Sequence, residues 1–156
     1  MWDAARRIGK PRIRARLAPL VLLAACAMVP RSGPPDAPLA PCPERPNCVS
    51  SEAVDARHRV GPLRLRLPAA QAWAAAQEAV DLLPRTQRLT TSPSYLHAIS
   101  RTRLLRFVDD LELRLDVEGR KIDVRSASRV GYGDLGVNRR RVERLRAILR
   151  ERGVVE

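Results

Sequence analysis

The residues best equipped for chemistry fall in one run, Arg125-Ser126-Ala127-Ser128-Arg129-Val130-Gly131-Tyr132-Gly133-Asp134-Leu135-Gly136-Val137-Asn138-Arg139-Arg140-Arg141. It leaves a predicted strand, turns through three glycines and enters a basic helix. Backbone N–H groups at a helix start, the hydroxyls of Ser126 and Ser128 and the guanidinium groups of Arg125, Arg129 and Arg139 together suit a phosphate, carboxylate or sulfate. Arg139, Arg140 and Arg141 occupy the first helical turn, where the helix dipole disfavours each cation by roughly 0.3–1 kcal/mol, so something anionic should compensate. A bound anion is one solution. The other is internal: Asn138 or Asp134 caps the helix, and Asp109, Asp110, Glu112 and Asp134 pair with Arg125, Arg129 and Arg139.

The same residues admit an enzymatic reading in which Asp109, Asp110 and His97 supply acid and base and Ser126 or Ser128 is the nucleophile. Neighbouring strand residues point to opposite faces, so Asp109 and Asp110 enter one site only if a bulge turns one of them. His97 reads as a sheet-face histidine on a row with Tyr95 and Ile99. Gly131-x-Gly133-x-x-Gly136 matches the spacing of a dinucleotide-binding turn, but neither the βαβ unit nor the acidic ribose partner that would complete one is expected. No cofactor and no metal is predicted, and an enzyme is the weaker class.

The elements that must position these groups follow from periodicity. Arg59–Leu67 alternates as a half-buried strand interrupted by Gly61-Pro62. Pro68 opens a helix whose stripe is Ala69, Ala72, Trp73, Ala76, Val80 and Leu83, and Pro84 stops it. Strands are predicted at Gln87–Thr91, Tyr95–Thr102, Arg106–Asp116 and Lys121–Ser128, with turns at Ser92-Pro93-Ser94 and Glu118-Gly119. In the third of these, Phe107, Asp109, Leu111, Leu113 and Leu115 share the apolar face, which puts a carboxylate among core residues. The last helix runs from Asn138 to Arg152 on Val142, Leu145, Ile148 and Leu149. The order β-α-β-β-β-β-α predicts an α+β fold, a mostly antiparallel four- to five-stranded sheet with two helices on one face.

The chain of 156 residues is long enough for one such core. Its net charge of +12 is concentrated at the start: without residues 1–25, which hold six cations and Asp3, it is +7. Those residues read as a signal peptide, a basic stretch to Arg16 followed by an apolar run of 13 residues from Leu17 to Val29. A membrane span takes roughly 20 apolar residues. Leu23-Ala24-Ala25-Cys26 resembles the bacterial lipobox, which implies acylation of Cys26, and Ala27 after it favours the outer membrane. Residues 26–41, with Pro30, Pro34, Pro35, Pro38 and Pro41, read as a tether, and 42–152 as a single domain. In an exported protein the remaining positive charge points to anionic envelope groups or to solubility, and away from nucleic acid.

Cys42 and Cys48 then remain as a pair. Five residues including Pro43 and Pro46 separate them, which suits a small disulfide loop in an oxidising compartment. Zinc is the competing reading, with His58 as the nearest further ligand, and a redox-active thiol pair the third.

Cys42-Pro43-Glu44-Arg45-Pro46-Asn47-Cys48-Val49-Ser50-Ser51, then Tyr95-Leu96-His97-Ala98, Phe107-Val108-Asp109-Asp110, Val124–Tyr132 and Asp134–Arg139 resemble, in order, the bacterial family called domain of unknown function 1499. The similarity runs from about residue 39 to 150. It implies an exported or membrane-attached protein and supplies no catalytic residues. The sequence thus predicts a periplasm-facing outer-membrane lipoprotein, held by its lipid, whose domain is a binding or structural module with an anionic envelope ligand or a protein partner; a periplasmic hydrolase using Asp109, His97 and Ser126 or Ser128 is the alternative.

Overall fold

The computed structural model describes residues 37–156. The segments read above as signal peptide and tether, Cys26 included, lie outside them except for the last residues of the second. The described chain runs β1 (Cys48–Ser50), β2 (Leu63–Arg64), α1 (Ala69–Asp81), β3 (Thr86–Thr91), β4 (Tyr95–Arg101), β5 (Val108–Asp116), β6 (Lys121–Ser128) and α2 (Val137–Glu151). All strands pair antiparallel in one sheet ordered β1-β6-β5-β4-β3, and β2 joins β6 along its first half while β1 joins it along the second. This is the α+β arrangement that the periodicity predicts.

Helix α1 forms because alanines dominate it and Pro68 presets its start. It buries Ala72, Trp73, Ala76, Ala79 and Val80 against the sheet, and the indole N–H of Trp73 donates to the Ser92 carbonyl at 3.2 Å, tying the helix to the β3–β4 turn. Helix α2 adds Val142, Leu145 and Leu149 to the same core. The sheet contributes Leu96 and Ala98 from β4, Leu111 and Leu113 from β5, and Ile122 and Val124 from β6. Both helices therefore cover one face of the sheet, and β4, β5 and β6 alternate between that face and the other, whereas the register of β3 shifts between Arg88 and Thr90. Packing reaches from Leu39, buried beyond the disulfide, to Val154 and Val155 after α2.

Two local expectations are corrected. Of Arg59–Leu67 only Leu63–Arg64 forms a strand, with single bridges at Arg59 and Leu65; Pro62 has no N–H to donate, and β1 already occupies the rest of the β6 edge. Phe107 does not share the core face but is 45% exposed, because β5 begins one residue later, at the Arg101–Val108 pair, and alternation ends with the pairing. Strand β1, only three residues long, carries too little period to be read from sequence.

Candidate functional site

The strand alternation sorts the predicted site residues into two groups on opposite faces of the sheet. On the face turned away from the helices, His97 of β4 donates from Nε2 to Asp110 Oδ1 at 2.8 Å, and Arg129 grips both oxygens of the same carboxylate at 2.8–3.2 Å. Burial would raise the Asp110 pKa, but the hydrogen bonds from His97 and Arg129 outweigh it and hold the carboxyl at about 2. One pair further along, Tyr95 donates its hydroxyl to Glu112 Oε1 at 2.8 Å and Arg125 donates to Oε2 at 2.7 Å. Burial and the Glu112 charge push the Tyr95 phenol up. Arg114 completes the row by joining Glu52 and Asp123, and these contacts raise its pKa despite partial burial.

On the helix-covered face the centre is Asp109, 1% exposed. Arg141 Nη2 donates to its Oδ2 at 2.6 Å, while Nη1 of the same guanidinium donates to Ser126 Oγ and to Asn138 Oδ1. Ser126 also donates to Asn138 Oδ1, at 2.7 Å, and the Asn138 amide reaches Ser128 Oγ, the Asn47 carbonyl and Asp134 Oδ2. Gly136 is the N-cap of α2, and Asp134, two residues before it, closes the turn: its two oxygens accept from the backbone N–H groups of Gly136 and Asn138, both at 2.8 Å. Gly131 and Gly136 take left-handed backbone angles, φ 91° and 77°, which the turn requires. Gly133 does not; it packs near Pro46.

The internal network is thus the arrangement found, with two of its pairings changed. Asp109 pairs with Arg141 and not with Arg125 or Arg129, because those arginines serve the opposite face whereas Ser126, Ser128 and Asp109 share one. Arg139 pairs with no carboxylate; it donates to the carbonyls of Arg57 and Arg59 at 2.8 and 2.9 Å. At the start of α2 the N–H groups of Gly136, Val137 and Asn138, which would receive a bound anion, are taken by Asp134. No catalytic constellation assembles from the predicted members: the backbone sheet separates His97 from Asp109, Ser126 and Ser128. The Cys42–Cys48 disulfide is formed, with its Cα atoms 5.6 Å apart. His58 faces Asp55 Oδ2 through Nδ1 and the Arg45 carbonyl through Nε2. Among the described residues no group of three or more His, Cys, Asp or Glu has the arrangement of a metal site.

One feature lies beside this network and is not read from the sequence. Where β4 ends and α2 begins, a cavity of about 390 Å³ is walled by Arg85, Arg101, Arg103, Arg140, Arg141 and Arg144, with the hydroxyl residues Thr86, Ser100 and Thr102. No carboxylate lines it. Only Arg141 is neutralised, from behind, by Asp109. Arg85 and Arg140 spend one N–H each on backbone carbonyls, and among the described residues Arg101, Arg103 and Arg144 have no side-chain hydrogen bond or ion pair. A second hollow of about 270 Å³ continues from the same wall and adds Arg106. A signal that could have pointed here is the spacing Arg101-x-Arg103-x-x-Arg106 across the β4–β5 turn, but the contribution of one helix face to the same wall is a tertiary fact.

Fold and site together define a small α+β protein with a disulfide-closed first loop, a buried ionic scaffold and an arginine-walled cavity. The chain belongs to the family described as Protein of unknown function (DUF1499), whose model matches residues 38–149. No curated protein matches it.

Proposed function

We propose that this protein is a lipid-anchored component of the bacterial cell envelope whose domain binds anionic groups in the arginine-walled cavity and performs no hydrolysis. The observation that carries the reading is the cavity itself: six arginines face one hollow without a carboxylate among them. Like charges held together repel, the more so where walls exclude water, and an anion relieves that repulsion while gaining fork-shaped hydrogen bonds from each guanidinium. The position expected for the ligand therefore moves from the glycine turn, whose donors are engaged by Asp134 and whose arginines are held by chain carboxylates and carbonyls, to the outer side of α2.

The hydrolase reading loses support from the same geometry, since His97 lies across the sheet from Ser126 and Ser128, and His58 is engaged by Asp55 and the Arg45 carbonyl. The anchor is inferred from the lipobox at Cys26 and from the basic, apolar leader before it. Native mass spectrometry of the chain purified from envelopes tests the binding half: a retained anionic adduct, absent from an Arg103→Glu/Arg144→Glu variant, is expected, and identical bare masses for both chains would count against it. Cys26→Ser should release the protein from membranes washed with alkaline buffer; undiminished retention would refute the anchor.

A further inference from the structure

The end of the domain that carries the arginine cavity also carries apolar side chains where a soluble hairpin would place polar ones. The β4–β5 loop closes through paired hydrogen bonds between Thr102 and Phe107, the Phe107 N–H to Thr102 Oγ1 and the Thr102 N–H to the Phe107 carbonyl, each 2.9 Å. This leaves Arg103-Leu104-Leu105-Arg106 as the tip. Leu104 is 90% exposed and Leu105 65% exposed, and Arg106 holds a left-handed φ of 53° at the base of the tip. Such tips ordinarily hold glycine, asparagine or serine, and adjacent exposed leucines mark a contact surface. The strand register sets the β6–α2 turn at the same end, since Asp109 pairs with Ser128, and that turn exposes Tyr132 and Leu135 as well.

We infer that this end docks on an anionic phospholipid surface, with lipid phosphates taken by the arginine cavity and Leu104 and Leu105 entering the boundary between headgroups and acyl chains. The inference rests on the anion-binding reading given above and adds its occupant. Three facts favour a bilayer over a soluble polyanion or a protein. Apolar and cationic groups stand side by side within one loop, two leucines flanked by two arginines, a combination that suits an interface. The cations are nearly all arginine, which pairs with phosphate bidentately. The apolar residues stand on projecting turns beside the cavity and do not line it, so a ligand confined to the cavity would leave them in water.

The test is hydrogen exchange on the full chain, read by mass spectrometry peptide by peptide, with vesicles of phosphatidylglycerol, vesicles of phosphatidylcholine, or soluble tripolyphosphate. Amides of residues 102–107 should slow by about tenfold or more on phosphatidylglycerol vesicles alone, an effect that high salt weakens. Leu104→Ser/Leu105→Ser should abolish that slowing while tripolyphosphate binding persists, and Arg103→Glu/Arg144→Glu should abolish both; all four residues are exposed. Equal exchange on the two kinds of vesicle overturns the docking while leaving anion binding to stand if tripolyphosphate still binds. Slowing that depends on protein concentration without vesicles assigns the tip to a second copy and overturns it too.

Discussion

Asp110 and Asp109 stand next to each other in β5 and meet opposite fates, which shows how one residue of phase decides what a carboxylate does. Asp110 is partly solvated and held ionised by His97 and Arg129. Its folded pKa of about 2 lies below the ordinary value of 3.8, so it stabilises the fold above pH 4, and that contribution is lost as pH falls from about 4 to 2. The shift corresponds to about 2 kcal/mol. Asp110→Asn should lower the free energy of unfolding at pH 7 by about that amount, and chemical denaturation of both chains at pH 2 should find the difference gone; a constant gap across pH would show that charge is not its origin. Asp109 is dry, and Arg141 is its one ionic partner. Arg141→Met leaves that carboxylate buried and uncompensated, a change that costs about 3–5 kcal/mol in comparable pairs. Thermal melting of the variant measures it, and an unchanged Tm would mean that the pair is not structural.

Among the elements, those with several periods were legible and those with one were not. Helices α1 and α2 and the strands β4 and β6 lie within a residue or so of where spacing put them, because each repeats its apolar stripe enough times for burial to dominate. Strands β1 and β2 are two or three residues long and exist only because the edge of β6 offers them partners, which no local pattern records. The Arg141–Asp109 pair was missed for a related reason: the sequence says which face of β5 Asp109 takes but not which turn of α2 lies over it. Two element-scale outcomes are expected. Reducing Cys42–Cys48 frees the residue that begins β1 and should lower stability by about 2 kcal/mol through loop entropy; a denaturant midpoint unmoved by reductant would mean that the loop is held without it. Gly136→Ala places a Cβ on a φ of 77°, 3.1 Å from the Arg140 guanidinium, and should cost about 1 kcal/mol. A neutral result in the same assay would mean that the turn can re-form.

At the scale of the whole molecule, the two ends of the sheet differ in kind. The cavity end gathers the α1–β3 connection, the β4–β5 tip and the start of α2, and with them Arg85, Arg101, Arg103, Arg106, Arg140 and Arg144, which pair with no carboxylate among the described residues. No local pattern collects Arg85, Arg103 and Arg144 into one wall, since nearly sixty residues separate the first from the last; the overall charge of +12 registers their sum and not their place. The run from Arg125 to Arg141, by contrast, was identifiable as a centre of polar contacts from residue types alone, and it is one. Its role in the fold is to fasten β1, β6 and α2 together, so the chemistry that its composition advertises is turned inward. The surface chemistry is left to arginines one helical turn further out.

Isothermal titration of tripolyphosphate into the full-length chain at low ionic strength tests the cavity most directly. Saturable binding to one site is expected, weakened at least tenfold by Arg103→Glu/Arg144→Glu while Arg64→Glu, an exposed arginine on β2 outside the cavity wall, leaves it intact. Heat no greater than dilution, or equal loss in both variants, would contradict an anion site between the β4–β5 loop and α2.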